Sequence, residues 1–267
     1  MTIHRVPAST AIDWIRGGID YPKRWPAVFL VMGLIAAILF MIPFIGGLVA
    51  LILGPALIGG TVAAAYTADR GGQPAIGQLF QAFQGGDRLS AMIALCIPIV
   101  VAVLTMFVLL FIFGLGAALG GGASATSGAL GNSQALLAML GVSLFILVPV
   151  FIVLIIVAYA YTFFAIPRVM LGHGEAFPAM RESFAACRAN LGAFILTGIV
   201  LFIGMFVLAF ILNAIFGVLH MRWLGSLLSG AALYSIAGPV MYTAFKAVLG
   251  VDESGIPAPP AAESPSA

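Results

Sequence analysis

The sequence predicts an all-α integral membrane protein: six transmembrane helices in three pseudo-repeats, each preceded by a cytoplasmic amphipathic interfacial helix. Three observations predict it. First, 63% of the 267 residues are hydrophobic and 7% are charged, against about 25% charged in soluble domains. So apolar a chain lacks the polar surface to coat a water-soluble globule, and its solvent is lipid. Second, the charges are segregated: Asp, Glu, Lys and Arg are missing from residues 25–68, 89–167, 189–221 and 223–245. Third, one short apolar pattern recurs three times, and each copy leads into such a stretch. Its copies are Ile12, Ile15 and Ile19; Ile76, Leu79 and Phe83; and Phe177, Met180 and Phe184. Spacings of three and four residues put each triplet on one helix face.

The first unit covers residues 9–70. Thr10 and Asp13 have the spacing of a capping box, which predicts a helix start there. The stripe Ile12, Ile15, Ile19 follows, flanked by Trp14 and Tyr21, while Asp13, Arg16 and Asp20 point elsewhere. Such a helix suits the headgroup boundary, although Gly17 and Gly18 weaken it by about 1 kcal/mol each. A span needs about 20 apolar residues to cross about 30 Å of hydrocarbon. Two spans therefore fit, at 26–45 and 48–68, turned at Pro43 and Gly46-Gly47. The first apolar run lacks a small-residue cleavage site and is expected to be a retained helix.

The second unit, residues 74–172, opens at Pro74, a favoured first-turn residue, and its stripe adds Phe80 before Gly85-Gly86 ends it. Its spans are expected at 91–118 and 136–166, joined by the small, uncharged run Gly120 to Gln134. The third unit, residues 175–250, has Pro178 in its first turn and Arg181, Glu182 and Arg188 on its polar side. Its spans are expected at 192–218 and 225–247, separated by His220 and Arg222. Units one and two align at an offset of 64 residues, which also relates Arg24 to Arg88; units two and three align at 101, slipping by one at Arg188. Each unit carries a Tyr-Thr step (Tyr66-Thr67, Tyr161-Thr162, Tyr242-Thr243) and closes on a cation (Arg70, Arg168, Lys246). Small residues one turn apart, such as Gly33 and Ala37 or Gly60 and Ala64, permit close helix contact. Pro55, Pro98, Pro149 and Pro239 are expected to kink or simply pack. Residues 251–267, rich in Pro, Ala and Ser, are expected to form a disordered cytoplasmic tail.

Orientation follows from Lys and Arg in the flanking loops. Arg5, Arg16, Lys23, Arg24, Arg70, Arg88, Arg168, Arg181, Arg188 and Lys246 fall on one side of a six-span chain, and Arg222 alone on the other. Both termini are therefore expected in the cytoplasm, as is every acidic residue.

The candidate chemistry is sparse. No ionisable residue occupies the core of any predicted span, where a proton relay would need one. The deepest polar side chains are Thr61, Thr105, Ser143, Thr197, Asn213 and the tyrosines. His4, His173 and His220 are far apart, no nucleophile–base set or phosphate loop appears, and His173 with Glu175 is a weak acid–imidazole pair. Cys96 and Cys187 have no zinc or redox spacing and are expected to be plain thiols. No catalytic residue, cofactor or metal is therefore expected, and a net charge of +2 gives no reason to expect nucleic acid. The remaining feature is a cationic rim: Arg24, Arg88 and Arg188 in one set of equivalent positions, and Arg70, Arg168 and Lys246 in another. Such cations either anchor and snorkel or hold anionic lipid headgroups, at about 1 kcal/mol each.

Val6-Pro7-Ala8-Ser9 with Trp14, Ile42-Pro43, Gly54-Pro55, Leu79-Phe80-Gln81-Ala82-Phe83 and the run from Ser183 to Asn190 resemble an uncharacterised family of six-helix bacterial inner-membrane proteins. That family is similar to YciC-like proteins and to the membrane domain of some glycerophosphodiester phosphodiesterases. The resemblance covers roughly residues 6–250 and implies a single membrane domain; it brings no catalytic residues, and the phosphodiesterase domain itself is missing. The expected role is a non-enzymatic envelope protein of the inner membrane that organises lipid or a membrane protein partner. The alternative is a transporter or facilitator for a hydrophobic or amphipathic solute.

Overall fold

The computed structural model describes residues 3–84, 86–125, 133–172 and 174–250, with side chains described outside 116–125 and 133–143. The predicted tail, Gly85, His173 and the centre of the predicted Gly120–Gln134 loop lie outside the described residues, as does the side chain of Ser143. Among the described residues the secondary structure is entirely helical. Five helices are long and apolar enough to cross a membrane, or six if one bent pair counts as a single span.

The bent pair is the first. Helix α1 (Thr10–Arg24) meets α2 (Pro26–Phe40) at 103°. Pro26 causes the corner: its ring disfavours helical geometry at the preceding residue, and Trp25 leaves the helix at φ −127°. The expected capping box does not form. Helix α1 already includes Thr10, its N-cap is Ser9, and no side chain caps it. The amides of Thr10, Ala11 and Ile12 bond instead to the carbonyls of Pro7, Ala8 and Ser9, so tight turns satisfy the donors that a side chain was expected to take. Helix α2 has 15 residues and rises about 22 Å, shorter than the predicted span 26–45. The remainder, Met41 to Ile45, is a turn in which Phe44 takes a positive φ of 64°, although Pro43 and the glycines carried the turn signal. Helix α3 (Gly46–Asp69) follows.

The second stripe folds as a 3₁₀ helix, Ile76–Gln84. With three residues per turn, side chains at i and i+3 eclipse, and Leu79 and Ala82 are its two buried residues. Helix α4 (Gly86–Ala94) is separated from α5 (Ile97–Ala125) at Leu95–Cys96, so the predicted span 91–118 is interrupted. Pro98 has no N–H for the Ala94 carbonyl, and the chain tightens just ahead of it, with Leu95 N–H on Met92 O and Cys96 N–H on Ile93 O. Helix α5 continues through Ala125, and α6 (Ser133–Thr162) opens at Ser133. Both ends of the predicted loop are therefore helical. Helices α7 (Ala165–Gly172), α8 (Ala176–Ala189), α9 (Leu191–Val218) and α10 (Arg222–Phe245) follow, and α10 runs into a π-helical turn, Lys246–Gly250.

The chain forms two compact units. One is residues 97–159, made of α5 and most of α6. Its outward side chains include Phe107, Phe111, Phe145 and Val153, all exposed, as suits lipid-facing helices. The other comprises the residues before 97 and after 159. Its core gathers Trp14, Phe29, Met32, Leu57, Leu79, Met92, Phe164, Val169 and Tyr242, all essentially inaccessible. Helix α10 packs against α1, α2, α3 and α9. Two glycines make that possible: a Cβ at Gly18 would strike the backbone of Val240, and one at Gly33 would strike the Ala231 carbonyl.

Within this unit the Tyr-Thr steps meet the short helices in a regular order. Thr67 accepts a 2.7 Å hydrogen bond from Gln78 Nε2 in the 3₁₀ helix. Beside Tyr161, Ser183 of α8 donates to Ala160 O at 2.7 Å and accepts from Phe164 N–H at 3.0 Å, and the Tyr161 ring stacks on Phe184 at 4.6 Å. Thr243 donates to Trp14 O of α1 at 2.7 Å. The middle residue of each sequence triplet (Ile15, Leu79, Met180) is buried at these contacts.

Candidate functional site

Three polar constructions stand out. The first is a knot on Asp69, the last residue of α3. Its Oδ2 accepts from Lys246 Nζ at 2.7 Å and from Tyr242 O–H at 2.8 Å, and its Oδ1 accepts from Tyr21 O–H at 3.1 Å. The Tyr242 ring meets Tyr21 and Tyr66 edge-on, each at 6.1 Å. Arg70 lies 5.4 Å over the Tyr66 ring, within cation–π range. Burial first, and then the Asp69 charge, raise the pKa of Tyr21 above the ordinary tyrosine value, so its hydroxyl stays a donor. The knot ties α1, α3 and α10 together.

The second is a clasp on the N-terminal segment. Buried Asn190, between α8 and α9, accepts from Val6 N–H at 2.8 Å through Oδ1, while its Nδ2 donates to His4 O and Ala186 O at 3.1 Å. His4 N–H in turn bonds to Val248 O at 2.8 Å. Nearby, burial pushes the Cys187 thiol up to about 12, so this cysteine stays a neutral, unreactive core group.

The third is a cleft of about 770 Å³ between α4 and the α7–α8 corner. Its polar wall is Asp87, Arg88, Ser90 and Glu175, and its apolar wall includes Ala94, Val169 and Phe177. Helix α4 delivers Asp87, Arg88, Ser90, Ala91 and Ala94 from one side because they recur at three- and four-residue spacing. Ser90 Oγ gives its proton to Asp87 O at 2.7 Å.

The six cations of the sequence pattern are not brought together as two uniform sets. Arg24 and Arg188 are exposed near the ends of α1 and α8, whereas Arg88 is half-buried in the cleft wall. Arg168 pairs with Glu182 of α8 at 3.1 Å, Lys246 pairs with Asp69, and Arg70 caps α3 over Tyr66. Sequence inspection did not single out Asp69 or Asn190. The only local signals were a carboxylate beside Arg70 and an amide at the end of a resemblance motif, because their partners lie up to 177 and 186 positions away. Glu175 was noted for its neighbour His173, whereas the structure places it in the lining of the same cleft as Asp87 and Arg88. Among the described residues no group of three or more His, Cys, Asp or Glu side chains is placed to hold a metal ion.

Compared with protein-family models, with curated proteins and with solved structures, the chain matches none.

Proposed function

We propose that this chain is a multi-pass protein of a bacterial inner membrane, with both termini cytoplasmic, which organises lipid or a membrane protein partner and performs no chemistry itself. In this view three repeat units close head to tail: the end of each unit holds the amphipathic helix of the next, and the third holds that of the first. The observation that carries the functional proposal is how the unit comprising residues before 97 and after 159 uses its polar groups. Thr61, Ser183, Thr197 and Ser235 are buried; Ser183 and Ser235 donate across to Ala160 O and Phe29 O of other helices, while Thr61 and Thr197 bond back to carbonyls of their own helices. Interhelical bonds of the Ser183 and Ser235 kind hold helices together, and all four hydroxyls are already committed to backbone carbonyls, which supports a scaffold over a solute pathway. The exposed Arg24 and Arg188 are the cations best placed for anionic headgroups; Arg88 serves from within its cleft. Arg70, Arg168 and Lys246 already have aromatic or carboxylate partners, and their share of lipid contact is smaller.

Exchange of Arg24, Arg88 and Arg188 for Gln together should lower the anionic lipid retained on purified protein by about a hundredfold, from about 1 kcal/mol for each of the three cations. Quantifying copurified lipids and proteins in native membrane discs checks this. Unchanged retention, combined with solute flux in liposomes, would favour the transporter instead.

A further inference from the structure

Two turns at one end of the unit formed by residues before 97 and after 159 are built from apolar side chains. Residues 41–45 link α2 to α3, and residues 219–221 link α9 to α10. They share an end because α10 runs antiparallel to both α2 and α9. Ser235 Oγ donates to Phe29 O at 2.8 Å and a Cβ at Gly230 would touch that of Ala37, while Ser226 Oγ donates to Asn213 Oδ1 at 3.1 Å. The opposite end holds Lys246 and the Asp69 knot. Met41, Ile42, Phe44 and Ile45 are exposed at the first turn, as are Val218, Leu219, Met221 and Trp223 at the second. Phe44 is completely open, at 104%. Within 41–48 and 215–224 the only titratable side chains are His220 and Arg222. Turns that face water draw on Gly, Asn, Asp and Ser, whereas these draw on Met, Ile, Phe, Val and Leu. Each also holds an L side chain at positive φ, Phe44 at 64° and His220 at 57°, where glycine would be unstrained. Their amides turn inward. Ile45 N–H bonds to Pro43 O at 2.8 Å and Gly46 N–H to Ile42 O at 2.7 Å, while His220 N–H bonds to Gly217 O at 3.1 Å and Met221 N–H to Phe216 O at 2.7 Å. Backbone groups satisfied within the chain fit a medium without water.

What covers this face follows from height and continuity. Helix α2 starts beside Lys23 and Arg24 and rises about 22 Å, about 8 Å less than a hydrocarbon core of about 30 Å, so the turn after it ends inside the far leaflet. Helix α9, whose end forms the second turn, exposes Phe202, Phe206 and Phe210 along its side, as a lipid-facing helix does. The apolar surface continues from them onto Val218 and Leu219. Trp223 and Arg222 are residue types of a headgroup boundary. We propose that the two turns form an insertion face held within the far lipid leaflet, with Phe44 and Leu219 among the acyl chains and Trp223 with Arg222 at the headgroups. The inserted face rests on the multi-pass reading above and goes beyond it: the chain grips lipid at both ends, by cations at the rim and by apolar turns opposite.

The test uses full-length wild-type protein in phosphatidylcholine nanodiscs. It is photolabelled with a phosphatidylcholine carrying a diazirine midway along its acyl chain and, separately, with a charged, water-soluble diazirine; mass spectrometry of the peptides locates the label. Phe202 and Phe206 of α9 serve as the lipid-facing reference. Both turns should take the acyl-chain label as those residues do, exceeding the aqueous label by about tenfold, the scale of burying one Phe side chain. Phe44→Asp should move the label of the first turn to the aqueous probe and leave that of α9 unchanged. Undiminished acyl-chain labelling of that turn in the variant overturns the anchoring by Phe44. Turns labelled from water in the wild type, with α9 still labelled from the acyl chain, overturn the inserted face and leave the multi-pass reading standing. Turns labelled by neither probe, with a dimer in native mass spectrometry, give the face to a second copy and overturn it equally. No acyl-chain label on α9 overturns the multi-pass reading itself.

Discussion

At Asp69, two tyrosine hydroxyls and an ammonium converge on one carboxylate. Removing the carboxylate leaves the Tyr242 hydroxyl enclosed without its acceptor, because Tyr242 is fully buried. A hydrogen bond to a charged group contributes about 1.5–3 kcal/mol, and stranding a buried donor costs on the same scale. Asp69→Ala should therefore destabilise by about 2 kcal/mol. Lys246→Gln should cost less than about 1 kcal/mol, since its half-exposed ion pair is screened by solvent. Thermal unfolding in detergent micelles compares the two. Equal losses would place the stabilisation in the ion pair and not in the tyrosines. Part of this knot was legible beforehand, since Tyr242 belongs to a Tyr-Thr step that recurs in every unit. Asp69 was not, because an acid next to an arginine carries no mark of the two aromatic partners that the fold brings from either end of the chain.

The elements show where a helical period read from sequence was sufficient and where it was not. All three stripes became short helices, yet the second is 3₁₀: Leu79 and Ala82 repeat at three residues, and that period serves a three-residue turn as well as an α-helix. Proline decided two breaks, at Trp25–Pro26 and ahead of Pro98. The packing of α1 on α10 was decided by a glycine that sequence reasoning had counted as a weakness. Gly18 is where the backbone of Val240 comes closest, and the loss of helix propensity is offset by that approach. Gly18→Leu should destabilise by more than about 2 kcal/mol through overpacking. Gly198→Ala, inside α9 with open space around the missing Cβ, should be neutral or stabilise by up to about 1 kcal/mol. Unfolding of both variants against sodium dodecyl sulfate, followed by helical circular dichroism, checks the pair; a tolerated Gly18→Leu would show that α1 does not pack on α10 at this distance.

Across the whole molecule, the count of spans turns on α1 and α2. If α2 completes a crossing with the turn that follows it, there are six spans and both termini share a side; if it stays at one face, there are five and the termini separate. Reporter fusions at residue 220 and after residue 250 distinguish these. The six-span proposal expects a periplasmic signal at the first, beside Arg222, and cytoplasmic signals at the second and at the N-terminus; termini on opposite sides would overturn it. The sequence by itself determined the class of molecule, because apolar length and charge segregation answer to the solvent and need no partner residue. It also located α3, α9 and α10 to within a few residues, since those boundaries follow charges, prolines and glycines along the chain, whereas α2 ends five residues early and α5 is displaced by six or seven. Only the tertiary structure decided what the rim residues do. Arg168 and Lys246 are paired to carboxylates, Arg24 and Arg188 are open, and Arg88 shares a cleft with Asp87 and Glu175. These contacts, from the 14 positions between Arg168 and Glu182 to the 177 between Asp69 and Lys246, depend on how helices pack, and a one-dimensional pattern of polarity records which face is buried without recording against what.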